Sequence, residues 1–357
     1  MNYVSGYIGT YTHGSVGRGK GIYKFKLDKT TGAVEDLQLA AASENPAYIA
    51  VSPSKKYLYV TNETDIYEGN DSGSVSAFEI EEKSGNLTLL NRKTSNGKHP
   101  CHIAINQDAS HGVVANYTSG ILSVFSLEPN GALGEAVQTI QYTGSGPVQE
   151  RQECSHAHFF MFDKTNSYGF TCDLGADRVI IYTFNKNASM PLALAPDSIF
   201  YFKPGAGPRH GVFHPNGDCG YFVNELDSTV DVLQYNSRGG FEKSQSLSTL
   251  PQGITVPNTT AAIKISPNGQ FLYASNRGHD SIAVYKVQPN QTLQFVSALS
   301  SGGKTPRDFT LDPTGTFLLV CHQDSDNLVV FHIDQSTGLF NKIAEYEVPS
   351  GVCIIFL

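Results

Sequence analysis

The residues in this chain best suited to chemistry are His156, Arg209, Glu225 and Arg277, with His158, His210, Arg307 and Gln323 as the next candidates for holding a substrate. Histidine and glutamate carry protons between water and a reacting group near neutral pH. The planar guanidinium of arginine presents a fork of donors that matches a phosphate, a carboxylate or a developing oxyanion. Such a set moves a proton and holds an anion. It is useful only if the fold gathers residues that lie far apart along the chain.

A repeat predicts how that happens. A short phrase with a small or proline-bearing start and an alternating apolar strand recurs as Pro46 to Pro53, Pro100 to Gln107, His156 to Asp163, Pro208 to Pro215, Thr260 to Pro267 and Pro306 to Pro313. The last residues of these copies are 54, 56, 52, 52 and 46 residues apart, the length of a four-stranded propeller blade with variable loops. Each copy continues into a second strand ending on a polar pair, as in Val60-Thr61-Asn62-Glu63, Val223-Asn224-Glu225 and Ser275-Asn276-Arg277. A third strand follows, for example Ser228 to Leu233 or Asp280 to Tyr285, whose alternation predicts a half-buried strand. Turns such as Thr31-Gly32 and Ser84-Gly85 lead into the fourth.

The N-terminal region supplies second and third strands without a first, and Ser350 to Leu357 supplies a first strand without the rest. The expected fold is therefore all-β: a seven-bladed β-propeller of four-stranded antiparallel blades, one domain over residues 1–357, its ring closed by pairing of the N- and C-terminal strands in one blade. The start of a blade's first strand and the end of its second should lie at the same mouth of the channel. That rule collects Tyr11, Glu63, Tyr117, Leu174, Glu225, Arg277 and Gln323 from the second strands. It adds His102, His156, His158, Arg209, His210, Arg307 and Asp308 from the first. Strand ends are also polar because they meet water, so each residue taken singly stays open to that plainer reading, whereas cations and a carboxylate grouped in one concavity favour a site.

Several function classes are disfavoured. Lys and Arg total 25 against 33 Asp and Glu, a net charge of −8, which argues against a nucleic-acid or anionic-membrane surface. The N-terminal stretch around Asn2 to Gly6 lacks the pattern of a secretory signal, and no apolar run reaches the roughly 20 residues of a membrane span. The six cysteines, Cys101, Cys154, Cys172, Cys219, Cys321 and Cys353, show no C-x-x-C pair and read as reduced thiols of a cytoplasmic protein. His156-Ala157-His158 sets two imidazoles close together, yet no third ligand at a recognised spacing completes a metal set, so no metal or other cofactor is expected. Gly17 to Gly21 reads as a glycine-rich hairpin loop and not a phosphate loop, since no helix follows it, and no G-x-S-x-G elbow is present. The longest irregular stretch, Gly144 to Ser155, is a loop either functional or decorative.

Three segments carry a resemblance: Gly207-Pro208-Arg209-His210-Gly211 through Gly217, Val223-Asn224-Glu225-Leu226-Asp227-Ser228-Thr229-Val230, and Ser275-Asn276-Arg277-Gly278-His279-Asp280-Ser281-Ile282. Pro306-Arg307-Asp308-Phe309 with Gln323 to Asn327 extends it. Over essentially its whole length the chain resembles the seven-bladed propeller lactonases of the 6-phosphogluconolactonase type, a family that also includes fungal carboxymuconate cyclases. The resemblance implies hydrolysis of 6-phospho-D-glucono-1,5-lactone in the oxidative pentose phosphate pathway. It also implies His156, Arg209, Glu225 and Arg277 as catalytic, with His158 competing for the histidine role. Either Glu225 or His156 would serve as base, and the arginines would take the oxyanion and the phosphate.

Other readings stay open: a lactonase or cycloisomerase for an unphosphorylated or carboxylated substrate, and a non-catalytic binding propeller. The absence of tryptophan removes the usual Trp-Asp blade ending of interaction propellers. The expected partner is thus a small-molecule sugar lactone, with neither nucleic acid nor membrane.

Overall fold

The computed structural model describes residues 2–236 and 240–357. Among them lie seven antiparallel sheets of four strands each, and the chain divides into two compact units. One comprises Met1–Ser43, His210–Gln234 and Glu242–Leu357, the other Glu44–Arg209 and Tyr235–Phe241.

The second unit contains three complete sheets in strand order: Pro46–Val51, Tyr57–Asn62, Ser74–Ile80 and Leu87–Thr94; Pro100–Ile105, His111–Asn116, Ile121–Leu127 and Leu133–Gln141; Ala157–Phe162, Tyr168–Asp173, Arg178–Phe184 and Leu192–Tyr201. The first unit contains Thr259–Ile265, Phe271–Arg277, Ser281–Val287 and Leu293–Ser300, then Pro306–Leu311, Phe317–His322, Asn327–Ile333 and Phe340–Glu347. Its third sheet runs Gly351–Phe356, Tyr3–Thr10, Gly21–Asp28 and Val34–Ala42, so the strands from the two ends of the chain pair, with Ile8 opposite Ile354. The remaining sheet is Pro208–Phe213, Cys219–Asn224, Thr229–Tyr235 and Phe241–Ser248. All six repeat copies read from the sequence form first strands, and the turns at Gly32 and Gly85 close through N–H bonds of 2.8 Å to Asp28 and Glu81.

One irregularity recurs. Pro46 faces Asn62, Pro100 faces Asn116, Ala157 faces Asp173, Thr260 faces Asn276 and Pro306 faces His322, and directly afterwards the register shifts. The shift skips Ala47, Cys101, His158 and Arg307 in four of these sheets, and two alanines, Ala261 and Ala262, in the fifth. A bulge of this kind bends the strand and re-aims the inserted side chain. Two of the candidate residues, His158 and Arg307, occupy it.

The core lies between consecutive sheets. Phe271, Tyr273 and Val284 pack with Phe309, Leu318 and Val329 in the first unit, and Val113, Leu122 and Val124 pack with Phe160, Ile180 and Tyr182 in the second. This packing corrects one expectation. Third strands such as Ser74–Ile80 and Ser281–Val287 are buried on both faces, not one. Small residues on these strands, Ser74, Ser76 and Ala77 or Ser281 and Ala283, are buried along with their larger neighbours. The outermost strands carry the half-buried alternation instead, as in Leu133–Gln141 and Phe340–Glu347. No helix among the described residues is long and apolar enough to cross a membrane.

Candidate active site

In the first unit Glu225 follows immediately after the second strand Cys219–Asn224, and Arg277 ends the second strand Phe271–Arg277. The guanidinium Nη2 of Arg277 lies 2.9 Å from Glu225 Oε2, with side-chain exposures of 14% and 4%. Thr260 ties the pair together. Its N–H donates to Glu225 O at 3.2 Å, its hydroxyl donates to Asn224 O at 2.7 Å, and its own carbonyl accepts from Arg277 Nη2 at 2.9 Å. Asn224 is fully buried, donates through Nδ2 to Thr229 Oγ1 at 2.8 Å, and keeps its Oδ1 without a hydrogen-bond partner among the described residues. A water-shielded guanidinium and a carboxylate thus meet at the ends of second strands from two sheets, with a buried amide oxygen one residue before the carboxylate in the chain. Charges held in such surroundings act more strongly than in water.

The other candidates of this unit are placed differently. Arg307, on its bulge, lays its guanidinium carbon 5.2 Å from the ring centroid of Tyr11, a cation–π contact. Gln323 donates from Nε2 to Asp324 Oδ1 at 3.0 Å, and its carbonyl accepts from Arg18 Nη2 at 2.8 Å, while Arg18 Nε bonds Asp326 Oδ2 at 2.6 Å. The glycine-rich hairpin loop therefore delivers an arginine beside Gln323, a role its composition did not announce. His210 is buried. Asp308 is buried too, and its Oδ2 accepts the backbone N–H of Ile354 at 3.1 Å.

In the second unit His156 precedes the strand Ala157–Phe162 and is held on three sides. Its N–H donates to Asp173 Oδ1 at 2.9 Å, its ring stacks on Tyr117 at 4.4 Å and 9°, and its Nδ1 lies 3.1 Å from Tyr117 O. A carbonyl can only accept, so Nδ1 carries a proton there, and Nε2 is the nitrogen turned toward the preceding loop. That atom stands 3.2 Å from Glu153 Oε1 and 4.0 Å from Cys154 Sγ. Glu153 is held below the usual carboxylate range, first by its own backbone N–H and then by the His156 ring, whereas burial pushes the Cys154 thiol up.

His158, on its bulge, meets Tyr117 edge-on at 5.4 Å and reaches Cys101 Sγ at 3.8 Å through Nδ1. His102 is packed between Tyr48 and Phe159 at 4.0 and 4.3 Å, as a core residue. Arg209 is buried, and its positive charge favours the thiolate form at Cys172, although burial keeps that thiol well above its ordinary range.

Sequence spacing missed three residues here. Asp173 is fully buried and accepts from Arg178 Nε at 3.0 Å besides the backbone N–H of His156, so it fixes the main chain at the histidine. Gln152 pins the Gly144 to Ser155 loop by donating from Nε2 to Leu174 O and Asp177 Oδ1, both at 2.8 Å, which makes the loop a fixed part of the structure. Cys154 belongs to the same loop. No recognised metal spacing surrounds the two histidines in sequence, yet Glu153 and Cys154 bring their ligand atoms within 4.8 Å of one another and of His156. The only sequence signal was their crowding into Glu153-Cys154-Ser155-His156.

Comparison with known proteins agrees with this architecture. The chain is 38% identical over 355 residues to a protein named 6-phosphogluconolactonase from Bacillus subtilis, covering 99% of this chain and 98% of that one. It is 34% identical to a protein of the same name from Formosa agariphila, over 97% of each. The solved structure of a periplasmic gluconolactonase from Pseudomonas aeruginosa superposes with a TM-score of 0.93 at 30% identity, over 99% of both chains. A family profile described as lactonase, 7-bladed beta-propeller matches residues 5–356. The chain belongs to the seven-bladed β-propeller lactonase family.

Proposed function

We propose that this lactonase hydrolyses 6-phospho-D-glucono-1,5-lactone to 6-phosphogluconate, in the cytosol and as a step of the oxidative pentose phosphate pathway. The observation that carries the reading is the buried Arg277 and Glu225 pair. Water adds to the lactone carbonyl carbon, the carbonyl oxygen takes up negative charge, and the ring carbon–oxygen bond breaks with a proton passing to the ring oxygen. Glu225, or His156 through Nε2, accepts the proton of the attacking water. Arg277 and Arg209 offer their guanidinium groups to the oxyanion and to the phosphate. His158, His210, Arg307 and Gln323 are assigned to substrate binding. No metal enters these steps.

The test is the disappearance of 6-phosphogluconolactone over its spontaneous hydrolysis, with the native protein and with an Arg209→Ala, Arg277→Ala double variant. Acceleration that the variant loses supports the assignment. Native rates equal to the buffer blank remove it. A second reading, an unphosphorylated sugar lactone as substrate, is favoured by the similarity to the gluconolactonase of P. aeruginosa. The ratio of kcat/KM for the phosphorylated and plain lactones decides between them.

A further inference from the structure

The loop before Ala157 places three metal-binding side chains at the distances a tetrahedral ion requires. Zinc binds thiolate at about 2.3 Å and imidazole or carboxylate at about 2.0–2.2 Å, so ligand atoms around it lie about 3.4 Å apart for nitrogen and oxygen and about 3.6 Å where sulfur is one of the two. Here His156 Nε2 is 3.2 Å from Glu153 Oε1, Cys154 Sγ is 4.0 Å from Nε2, and Cys154 Sγ is 3.9 Å from Oε1. Each edge is within a few tenths of an ångström of the tetrahedral value.

The supporting structure is already in place. Zinc-binding histidines are fixed by a hydrogen bond from their other nitrogen, and His156 Nδ1 makes such a bond to Tyr117 O while its ring stacks on Tyr117. The loop backbone is clamped as well: a Cβ at Gly175 would meet Cys154 O at 1.8 Å, and one at Gly120 would meet Ser155 O at 2.5 Å. His156 is buried and Glu153 exposed, so the three ligands cover one side of an ion and leave the other to solvent.

We propose that Glu153, Cys154 and His156 form a binding site for a zinc-class divalent ion, with water as the fourth ligand. A soft thiolate beside an imidazole selects zinc or cobalt over magnesium or calcium. Binding forms the metal–sulfur, metal–nitrogen and metal–oxygen contacts and releases the thiol proton of Cys154, and any proton on Nε2, to solvent. The ion takes the nitrogen that the lactonase reading reserves for proton transfer. The site itself rests only on the geometry of this loop.

The experiment uses the full chain, reduced and stripped with a chelator, titrated with cobalt(II) and then with zinc(II). The expected result is one cobalt per chain with a thiolate-to-cobalt charge-transfer absorption that zinc abolishes and magnesium does not. Cys154 is the exposed cysteine among five buried ones, so that absorption reports on it. Cys154→Ser should remove the absorption and weaken zinc binding by more than the about 10–100-fold that loss of an outer-shell partner costs, and Glu153→Gln should weaken it less, both with unchanged near-ultraviolet circular dichroism. Absence of the charge-transfer absorption, or zinc affinity unaltered in Cys154→Ser, overturns the proposal. Lactone turnover is measured apart from binding, so loss of the lactonase reading leaves this result intact.

Discussion

Arg277 Nη2 and Glu225 Oε2 face each other at 2.9 Å from the ends of two second strands in neighbouring sheets, and neither side chain has substantial access to water. Breaking a buried pair of this kind leaves a charge with no compensation, at a cost of about 3–5 kcal/mol. The pair carries stability alongside its proposed chemistry, and variants must be chosen to separate the two.

Glu225→Gln keeps the shape and a hydrogen-bonding oxygen beside Arg277 while removing the basic carboxylate. If Glu225 accepts the proton of the attacking water, turnover falls by about 10²–10⁴-fold in a protein that still melts cooperatively. Full turnover in this variant would transfer the base role to His156. Steady-state kinetics beside a thermal melt read both quantities.

Arg178 donates from Nε and Nη2 to Asp173 Oδ2, each at 3.0 Å, and Asp173 in turn accepts the N–H of His156. Arg178→Ala should lower unfolding stability by about 3–5 kcal/mol, since a fully buried carboxylate loses its counter-charge. It should also loosen His156. Urea denaturation gives the first effect, and a smaller change than about 1 kcal/mol would mean that Asp173 is satisfied without its arginine.

Burial pushes the imidazole of His322 down to about 4. Its Nδ1 lies 3.2 Å from Asn327 O, and its Nε2 has no hydrogen-bond partner among the described residues. An unfolded histidine titrates near ~6.5, so between pH 6.5 and 4 the unfolded chain takes up a proton that the folded chain refuses. The contribution is fully present above pH 6.5 and is lost as pH falls toward 4, amounting to about 3 kcal/mol. Denaturation at pH 7 and at pH 4.5 should show a steeper loss for the native protein than for His322→Gln. Equal pH slopes would remove the effect.

Much of this protein was legible in its residues. The period of the strand phrase and the turn chemistry at Gly32 and Gly85 are local properties, and they determined seven four-stranded sheets with the two chain ends sharing one. The residue types His156, Arg209, Glu225 and Arg277 were equally plain, because ionisable groups at the ends of otherwise apolar strands stand out by contrast. Tertiary structure decided which of them meet. Arg277 reaches Glu225 through the packing of one sheet on the next, and His156 finds Tyr117 across 39 residues of sequence. The bulge that re-aims His158 and Arg307 is a matter of register, which alternation of apolar residues does not encode. The grouping of Cys154 with Glu153 and His156 depends on a loop clamped by Gly175 and Gln152, and both contacts come from outside any repeating pattern. Periodicity is written along the chain, whereas distances between side chains on different elements arise only once the sheets have packed.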